Sequence, residues 1–226
     1  SAGGFRSGVL SLFTGGPDGL DPVPAQTLTG TETGGLFGES FAAGEFTGDG
    51  VPDLAVGAPG ERLSGIGEGT VYVYEGVGAG LLNDQPVRTL SGITDVFNEF
   101  GTALSTCDFD GDGFDDLAIG SPESISANPR LFGRGFVSVY YGTAQGLDAV
   151  PRQRIWGIVP RDNTWIGVTQ MFFGMALGAG DIDGDGACEL AVQSFGHNNS
   201  RGAGDVNGNG YDRDYFGGTV MILDGR

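Results

Sequence analysis

The residues best suited to chemistry in this chain lie in three acidic loops of nine residues each. The loops are residues 45–53 (EFTGDGVPD), 108–116 (DFDGDGFDD) and 181–189 (DIDGDGACE). Oxygen-bearing side chains stand at positions 1, 3, 5 and 9 of each loop, and a glycine stands at position 6. Alternating oxygen ligands around a sharp glycine turn are what a hard divalent cation requires of a short loop. The pattern therefore predicts a metal site in each loop.

Every predicted ligand is an oxygen atom, so the expected ion is Ca²⁺ rather than Zn²⁺. Besides its four side chains, each loop offers the backbone carbonyl at position 7. The first loop supplies Glu45, Thr47, Asp49, Val51 and Asp53. The second loop supplies Asp108, Asp110, Asp112, Phe114 and Asp116. The third loop supplies Asp181, Asp183, Asp185, Ala187 and Glu189. We expect about three ions, with the weakest site in the first loop because a hydroxyl replaces one carboxylate there. The alternative is that an acidic loop is only a solvated turn.

A fourth candidate loop covers residues 205–214 (DVNGNGYDRD). Its ligands would be Asp205, Asn207, Asn209, the carbonyl of Tyr211, and Asp214. Position 9 is Arg213, so Asp212 or Asp214 would have to supply the missing carboxylate. Asn, Asp and Gly are also the ordinary composition of turns. A fourth Ca²⁺ site and a plain polar turn both remain open.

Short strands must position these loops. A Phe-Gly pair begins eight residues before each loop, at Phe37, Phe100 and Phe173. An apolar run follows each loop, and a glycine then opens an alternating segment: GTVYVY, GFVSVY or GTVMIL. Alternation of β-branched and aromatic residues, with Gly and Pro between the runs, predicts short antiparallel strands. We label the four strands of each unit A to D in chain order. Units recurring after 63 and then 73 residues predict an all-β fold, a β-propeller of four-stranded blades.

The motifs also carry a family resemblance. The Phe-Gly pair, the acidic loop and the Val-Gly-Ala-Pro at residues 56–59 resemble the FG-GAP repeats of the integrin α-subunit propeller and of bacterial integrin-like extracellular proteins. The resemblance implies a propeller of four-stranded FG-GAP blades. In the third repeat Gln193-Ser194-Phe195 replaces Gly-Ala-Pro, so we expect strand B to exit differently there.

We predict a single propeller array over residues 1–226. Residues 1–30 would form a partial blade (strands C and D), residues 36–92 and 99–157 two full blades, and residues 172–226 a blade without its outer strand. That is about 3.5 blades, whereas closed propellers have roughly four to eight. We therefore expect further blades, or a second chain, to complete a larger ring.

The two cysteines, Cys107 and Cys188, stand at non-equivalent positions in different predicted blades. We expect buried thiols, since cysteine is often simply a buried residue. A disulfide, which forms in oxidising compartments, is the alternative.

Composition limits the class of partner and of activity. The chain has 29 acidic and 11 basic side chains, a net charge of −18, which argues against nucleic acid and anionic membrane surfaces. No apolar run is long enough to span a bilayer, so we expect no membrane insertion. There is one histidine, His197, and no Gly-x-Ser-x-Gly motif or His/Cys zinc cluster, so we expect no enzymatic activity. Calcium loops of low affinity favour an extracellular or cell-surface location.

The longest insertions are expected on one face of the propeller. In antiparallel blades the A–B and C–D loops share one face, and the B–C and D–A loops share the other. The insertions at residues 123–134, 158–171 and 195–216 therefore lie opposite the metal sites, on the face that meets ligands in the integrin resemblance. They contain side chains suited to protein or glycan contacts: Phe132, Arg134, Trp165, Arg201, Tyr211 and Tyr215. The alternative is that these side chains only pack their own loops.

Together these features predict a calcium-stabilised extracellular β-propeller module for adhesion, or for binding a protein or carbohydrate ligand. The alternative is a structural or accessory module of a larger secreted surface protein or carbohydrate-active enzyme. The two functions differ in whether the long loops bind a ligand.

Overall fold

The computed structural model describes residues 7–63, 67–93, 97–123, 134–157, 168–170, 172–195, 197–198 and 218–223. Within these ranges the chain forms strands, turns and bends and contains no helix. Consequently no helix in the described part of the chain has the length and hydrophobicity needed to cross a membrane. The predicted all-β fold is confirmed.

The first sheet has two strands. They are β1 (Val9–Leu12) and β4 (Gln26–Thr29), which pair antiparallel. A short hairpin of β2 (Gly15–Gly16) and β3 (Gly19–Leu20) connects them. The two strands predicted within residues 1–30 are therefore present and paired.

The second sheet has four antiparallel strands. They are β5 (Phe41–Gly44), β6 (Asp53–Ala58), β7 (Thr70–Tyr74) and β10 (Arg88–Ser91). Their spatial order follows the chain, from β5 at one edge to β10 at the other. A hairpin of β8 (Gly76–Gly78) and β9 (Leu81–Leu82) precedes β10.

The third sheet repeats this arrangement without the hairpin. Its strands are β11 (Ala103–Cys107), β12 (Asp116–Ser121), β13 (Phe136–Tyr140) and β14 (Gln153–Trp156). They lie in chain order across the sheet.

The last part of the chain forms a three-stranded sheet and a separate ribbon. The strands in chain order are β15 (Val168–Gln170), β16 (Leu177–Gly180), β17 (Glu189–Phe195), β18 (His197–Asn198) and β19 (Gly218–Leu223). Strands β16, β17 and β19 make the sheet, and β15 pairs with β18. Strand β17 has seven residues, against six in β6 and β12, and pairs through Phe195 before β18 follows. The predicted departure of the third repeat after strand B is confirmed.

The hydrophobic core lies between consecutive sheets. Strands β6 and β12 are buried along their whole length, which explains why they are apolar on both faces. One cluster joins Val71 and Leu90 of the second sheet to Leu117 and Ile119 of the third. The phenylalanine of each Phe-Gly pair packs against the preceding sheet: Phe37, Phe100 and Phe173. This face-to-face stacking of successive sheets is the packing of a β-propeller, although the described sheets do not close into a ring.

Glycine allows the neighbouring sheets to approach closely. A Cβ added at Gly57 would lie 2.2 Å from the carbonyl oxygen of Gly101, and one at Gly120 would lie 2.1 Å from that of Gly174. Both pairs join the second strand of one sheet to the Phe-Gly turn of the next. The Phe-Gly motif therefore supplies an apolar plug and a backbone contact at the same sheet boundary.

Candidate metal centre

The three acidic loops occupy the same place in their sheets. Each connects the first strand to the second: β5 to β6, β11 to β12, and β16 to β17. The residue at position 9 is in each case the first residue of the second strand.

The side chain at position 1 folds the loop around itself. Asp108 Oδ1 accepts hydrogen bonds from the N–H groups of Gly111 (2.7 Å) and Asp112 (3.1 Å), and its Oδ2 accepts one from Gly113 (2.8 Å). Asp181 accepts the same three bonds in the third loop. These bonds curl the backbone so that the later ligands point toward the position 1 carboxylate.

Two glycines in each loop have positive φ, not one. At position 4 they are Gly48, Gly111 and Gly184, with φ of 82°, 74° and 79°. At position 6 they are Gly50, Gly113 and Gly186, with φ of 81°, 92° and 96°. Only position 6 was expected from the sequence. The missed signal was a glycine at position 4 in all three loops.

Two of the loops gather carboxylates into a compact group. In the second loop oxygen atoms of Asp108, Asp110 and Asp116 lie within 4.8 Å of one another, and in the third loop those of Asp181, Asp183 and Asp185 do. Three carboxylates at this separation repel one another, and a cation bound among them would offset the repulsion. Oxygen-only donors fit Ca²⁺. The residues present therefore fit the predicted ion.

Some predicted ligands are not part of these groups. Asp112 accepts a hydrogen bond from the N–H of Phe114 (3.0 Å), and Glu189 accepts one from Ile182 (2.6 Å). The first loop forms no such group among its described carboxylates. There Glu45 Oε1 accepts hydrogen bonds from Thr47, Gly48 and Asp49.

The carboxylate at position 9 also holds the loop to the rest of its sheet. Asp116 is fully buried and accepts hydrogen bonds from the N–H groups of Phe109 (2.7 Å) and Gly142 (2.7 Å). Asp53 is buried in the same way and accepts them from Phe46 (2.6 Å) and Gly76 (2.8 Å). Each carboxylate thus ties position 2 of its loop to the turn that follows the third strand.

The electrostatics of the second loop favour a cation. Burial raises the pKa of Asp116 to about 7, the two backbone N–H bonds oppose this, and the charges of Asp110 and Asp108 raise it further. Asp110 is exposed, but partial desolvation by its loop raises the pKa of its carboxyl, and the charge of Asp112 raises it further. Burial likewise raises the pKa of Asp53 in the first loop. These crowded carboxylates would all be more stable as anions beside a divalent ion.

The expectation of buried thiols is wrong, because Cys107 and Cys188 form a disulfide with Cα atoms 6.0 Å apart. Cys107 is the last residue before the second loop, and Cys188 is position 8 of the third loop. The corresponding residues one boundary earlier are Gly44 and Asp115, and they are also neighbours: Asp115 Oδ2 accepts a hydrogen bond from the N–H of Glu45 at 2.9 Å. Because adjacent sheets stack, the residue before one acidic loop lies beside position 8 of the next loop. The two cysteines can therefore pair although their positions within the repeats differ.

Of the predicted ligand-binding residues, only Arg134 lies within the described part of the chain. Its Nε donates a hydrogen bond to the carbonyl of Gly157 at 2.9 Å, so this side chain braces two loops. Outside the described residues lie Phe132, Trp165, Arg201, Tyr211 and Tyr215, and the fourth candidate loop with Asp205, Asn207, Asn209 and Asp214.

The two ends of the sheets have different surroundings. At the metal end, the loop after β13 contacts the first acidic loop, where the N–H of Leu147 donates to the carbonyl of Phe46 at 3.0 Å. The insertions begin and end at the opposite end. Strand β15 belongs to the insertion at residues 158–171 and β18 to the one at 195–216, and the two strands pair. Two of the three insertions are therefore in contact with each other.

Comparison with known proteins agrees with this architecture. Residues 37–74 and 100–140 match the family model of the FG-GAP repeat. The chain is 37% identical over 150 residues to rat phosphatidylinositol-glycan-specific phospholipase D, covering 62% of this chain and 17% of that protein. It is 32% identical over 190 residues to Xenopus laevis integrin alpha-5 (79% and 16%) and 30% identical over 199 residues to chicken integrin alpha-V (84% and 17%).

The fold and the matches together define the class of protein. The chain is an FG-GAP repeat β-propeller protein, similar to the integrin alpha subunits and to phosphatidylinositol-glycan-specific phospholipase D. It spans only 16% to 17% of the length of these relatives.

Proposed function

We propose that this chain is a calcium-stabilised extracellular β-propeller module for adhesion or ligand binding. The observation that carries the proposal is the repeated acidic loop, which gathers three carboxylates at the same corner of two neighbouring sheets. Similarity to integrin alpha subunits over 79% to 84% of the chain supports the adhesion or ligand-binding role.

In this proposal the second and third loops hold the tightest ions. Asp108, Asp110 and Asp116 would bind one ion, and Asp181, Asp183 and Asp185 another. The first loop would bind a weaker ion, since its described carboxylates form no compact group of three and Thr47 supplies a hydroxyl in place of a carboxylate. About three ions would neutralise roughly six of the negative charges. The ions act on folding and rigidity rather than on a substrate.

We place the ligand-binding surface on the face opposite the metal loops. Three insertions start from that face, and two of them pair through β15 and β18. Long loops supported by a rigid sheet are where binding residues concentrate. The aromatic and arginine residues of these insertions, Trp165, Arg201, Tyr211 and Tyr215 among them, would contact a protein or glycan.

A loop truncation tests this assignment. Replacing residues 196–217 by a short Gly-containing turn between β17 and β19 should abolish binding on a glycan and matrix-protein array. The calcium-dependent melt should persist, because no ligand of the three acidic loops is removed. The matched control is a truncation of the β8–β9 hairpin on the metal face, which should leave binding intact. Binding that survives the first truncation and disappears with the second would contradict the assignment of faces.

A second function is a structural or accessory module of a larger protein. The 37% identity to a phospholipase D, over a region that makes up 17% of it, favours this alternative. We propose that the chain itself is not an enzyme, because its single histidine has no nucleophile motif beside it. If this alternative holds, the loop truncation will change no binding, and a longer chain containing these residues will carry the activity.

The proposed partners follow from the described sheets. Further FG-GAP blades, from a longer chain or a second chain, would cover the first and last sheets. Val9 of β1 is 60% exposed, whereas its counterparts Thr70 and Phe136 in the other sheets are fully buried. The Cys107–Cys188 disulfide is consistent with an extracellular location, where disulfides persist.

A further inference from the structure

The disulfide lies directly between two of the candidate cation loops. Cys107 immediately precedes Asp108, position 1 of the second loop. Cys188 stands between Ala187 and Glu189, positions 7 and 9 of the third loop. Three predicted ligands, Asp108, Ala187 and Glu189, are therefore next to a disulfide-bonded cysteine in the chain.

A backbone hydrogen bond connects the same two loops. The N–H of Cys188 donates to the carbonyl oxygen of Asp108 at 2.8 Å. Cys188 is buried and packs with Phe109 and Leu190, and the partly buried Cys107 lies against this cluster. A shift of the third loop at Cys188 must therefore move the backbone of Asp108, whose carboxylate folds the second loop.

The preceding pair of loops provides an internal comparison. At the equivalent positions Gly44 and Asp115 there is no covalent link. Those loops are connected by the Asp115–Glu45 hydrogen bond and, beside them, by the hydroxyl of Thr106, which donates to the carbonyl of Ala43 at 2.8 Å. The first loop is thus attached to its neighbour by hydrogen bonds and by packing of Phe46, without a covalent link, whereas the second and third loops are also joined through sulfur.

We propose that Cys107 and Cys188 are positioning residues for cation binding: their disulfide holds the second and third loops in register and makes their two sites one coupled pair. The inference rests on the proposed function, since it requires that these loops bind Ca²⁺. Groups that orient metal ligands from outside the coordination sphere typically change affinity about 10-fold to 100-fold. A cross-link also limits the conformations available to the loops when no ion is bound, so less order has to be gained on binding.

Calcium titration of the cysteine variant tests the proposal. Cys107→Ser/Cys188→Ser and the unsubstituted protein are freed of metal, kept at a temperature where circular dichroism shows both folded, and titrated with Ca²⁺ by calorimetry. We expect two of the ions to bind about tenfold more weakly in the variant and the third to bind unchanged. A purely structural disulfide would instead lower the melting temperature while leaving all the dissociation constants unchanged, and that result would overturn the inference.

Two further variants assign the weakened ions. In the Asp110→Ala/Asp183→Ala background the first is the only one of the three acidic loops that keeps its site, so adding the two serine substitutions should leave calcium binding unchanged. Thr106→Val removes an inter-sheet hydrogen bond without touching the disulfide, and it should leave the second and third loops at full affinity. Weakening of the first loop by the serine substitutions would contradict the proposed coupling.

The proposal remains testable if the serine variant does not fold without metal. The calcium-loaded protein with its disulfide intact is treated with a phosphine reductant, which converts the disulfide to two thiols and is itself oxidised to the phosphine oxide with water. Calcium release into excess chelator is then followed by stopped flow. Two ions should leave about tenfold faster after reduction, and equal release rates would refute the inference. Absence of calcium binding in the untreated protein would instead refute the proposed function.

Discussion

In the second loop we expect Asp116, at position 9, to stabilise the protein even without calcium. We expect Asp110, at position 3, to stabilise it only when calcium is present. Asp116 is fully buried and is the only described hydrogen-bond acceptor for the N–H groups of Phe109 and Gly142. Asp116→Ala removes this acceptor from both N–H groups. Each unsatisfied buried N–H costs about 1–3 kcal/mol, and relief of the buried carboxylate returns part of this, so we expect a loss of about 2–4 kcal/mol in chelator.

Asp110 should behave differently. It is exposed, and its carboxylate accepts one long hydrogen bond, from the N–H of Asp112 at 3.3 Å. In chelator Asp110→Ala should change the free energy of unfolding by no more than about 0.5 kcal/mol, as expected for a surface substitution. In calcium it should lose the stabilisation that the ion provides to the second loop.

Urea denaturation in calcium and in chelator separates the two roles. The matched control is Asp53→Ala, which removes the same pair of backbone hydrogen bonds in the first loop and should resemble Asp116→Ala in chelator. Our reasoning is refuted if Asp116→Ala leaves the urea midpoint in chelator unchanged. It is also refuted if Asp110→Ala lowers that midpoint as much as Asp116→Ala does.

Two other substitutions test the sheet boundary and the pH dependence. Gly120→Ala would place a Cβ 2.1 Å from the carbonyl of Gly174 and should destabilise the protein by several kcal/mol, while Gly178→Ala, with open space around it, should be nearly neutral; thermal melts of both variants check this. Burial, with the charges of Glu123 and Glu39, raises the pKa of Glu99 to about 7 from 4.5, so the wild-type protein should lose stability as the pH rises from about 4.5 through 7. Asp116 contributes a loss in the same pH range, so Glu99→Gln should remove only the share that Glu99 contributes and should be about 1–2 kcal/mol more stable than the wild type at pH 8, after allowance for partial exposure. An equal change of the urea midpoint between pH 5 and pH 8 in the wild type and in Glu99→Gln would contradict this.

The fold was predictable because the sequence pattern within each repeat predicts the strands of that repeat. The alternation in GTVYVY and GFVSVY corresponds to β7 and β13, and the apolar runs after the acidic loops correspond to β6 and β12, which are buried on both faces. The departure at Gln193 to Phe195 also appeared as a longer β17. Local patterns suffice here because the strands of each four-stranded sheet lie side by side in chain order.

What the sequence did not show depends on contacts between repeats. The Cys107–Cys188 disulfide joins the end of one strand A to position 8 of the next loop, and only the stacking of adjacent sheets brings those positions together. The acidic spacing predicted that carboxylates converge, and they do in two loops. The spacing did not show that Asp116 also anchors the turn at Gly142, because that partner lies 26 residues away.

The most direct test of a calcium-stabilised propeller is thermal unfolding of the unsubstituted chain in calcium and in chelator. An ion that binds only the folded state adds about 2.7 kcal/mol at a concentration one hundred times its dissociation constant. We expect the midpoint to rise by at least several degrees in calcium, and the rise to shrink to that of the first loop alone in Asp110→Ala/Asp183→Ala. Superimposable melts of the unsubstituted chain with and without calcium would contradict the account.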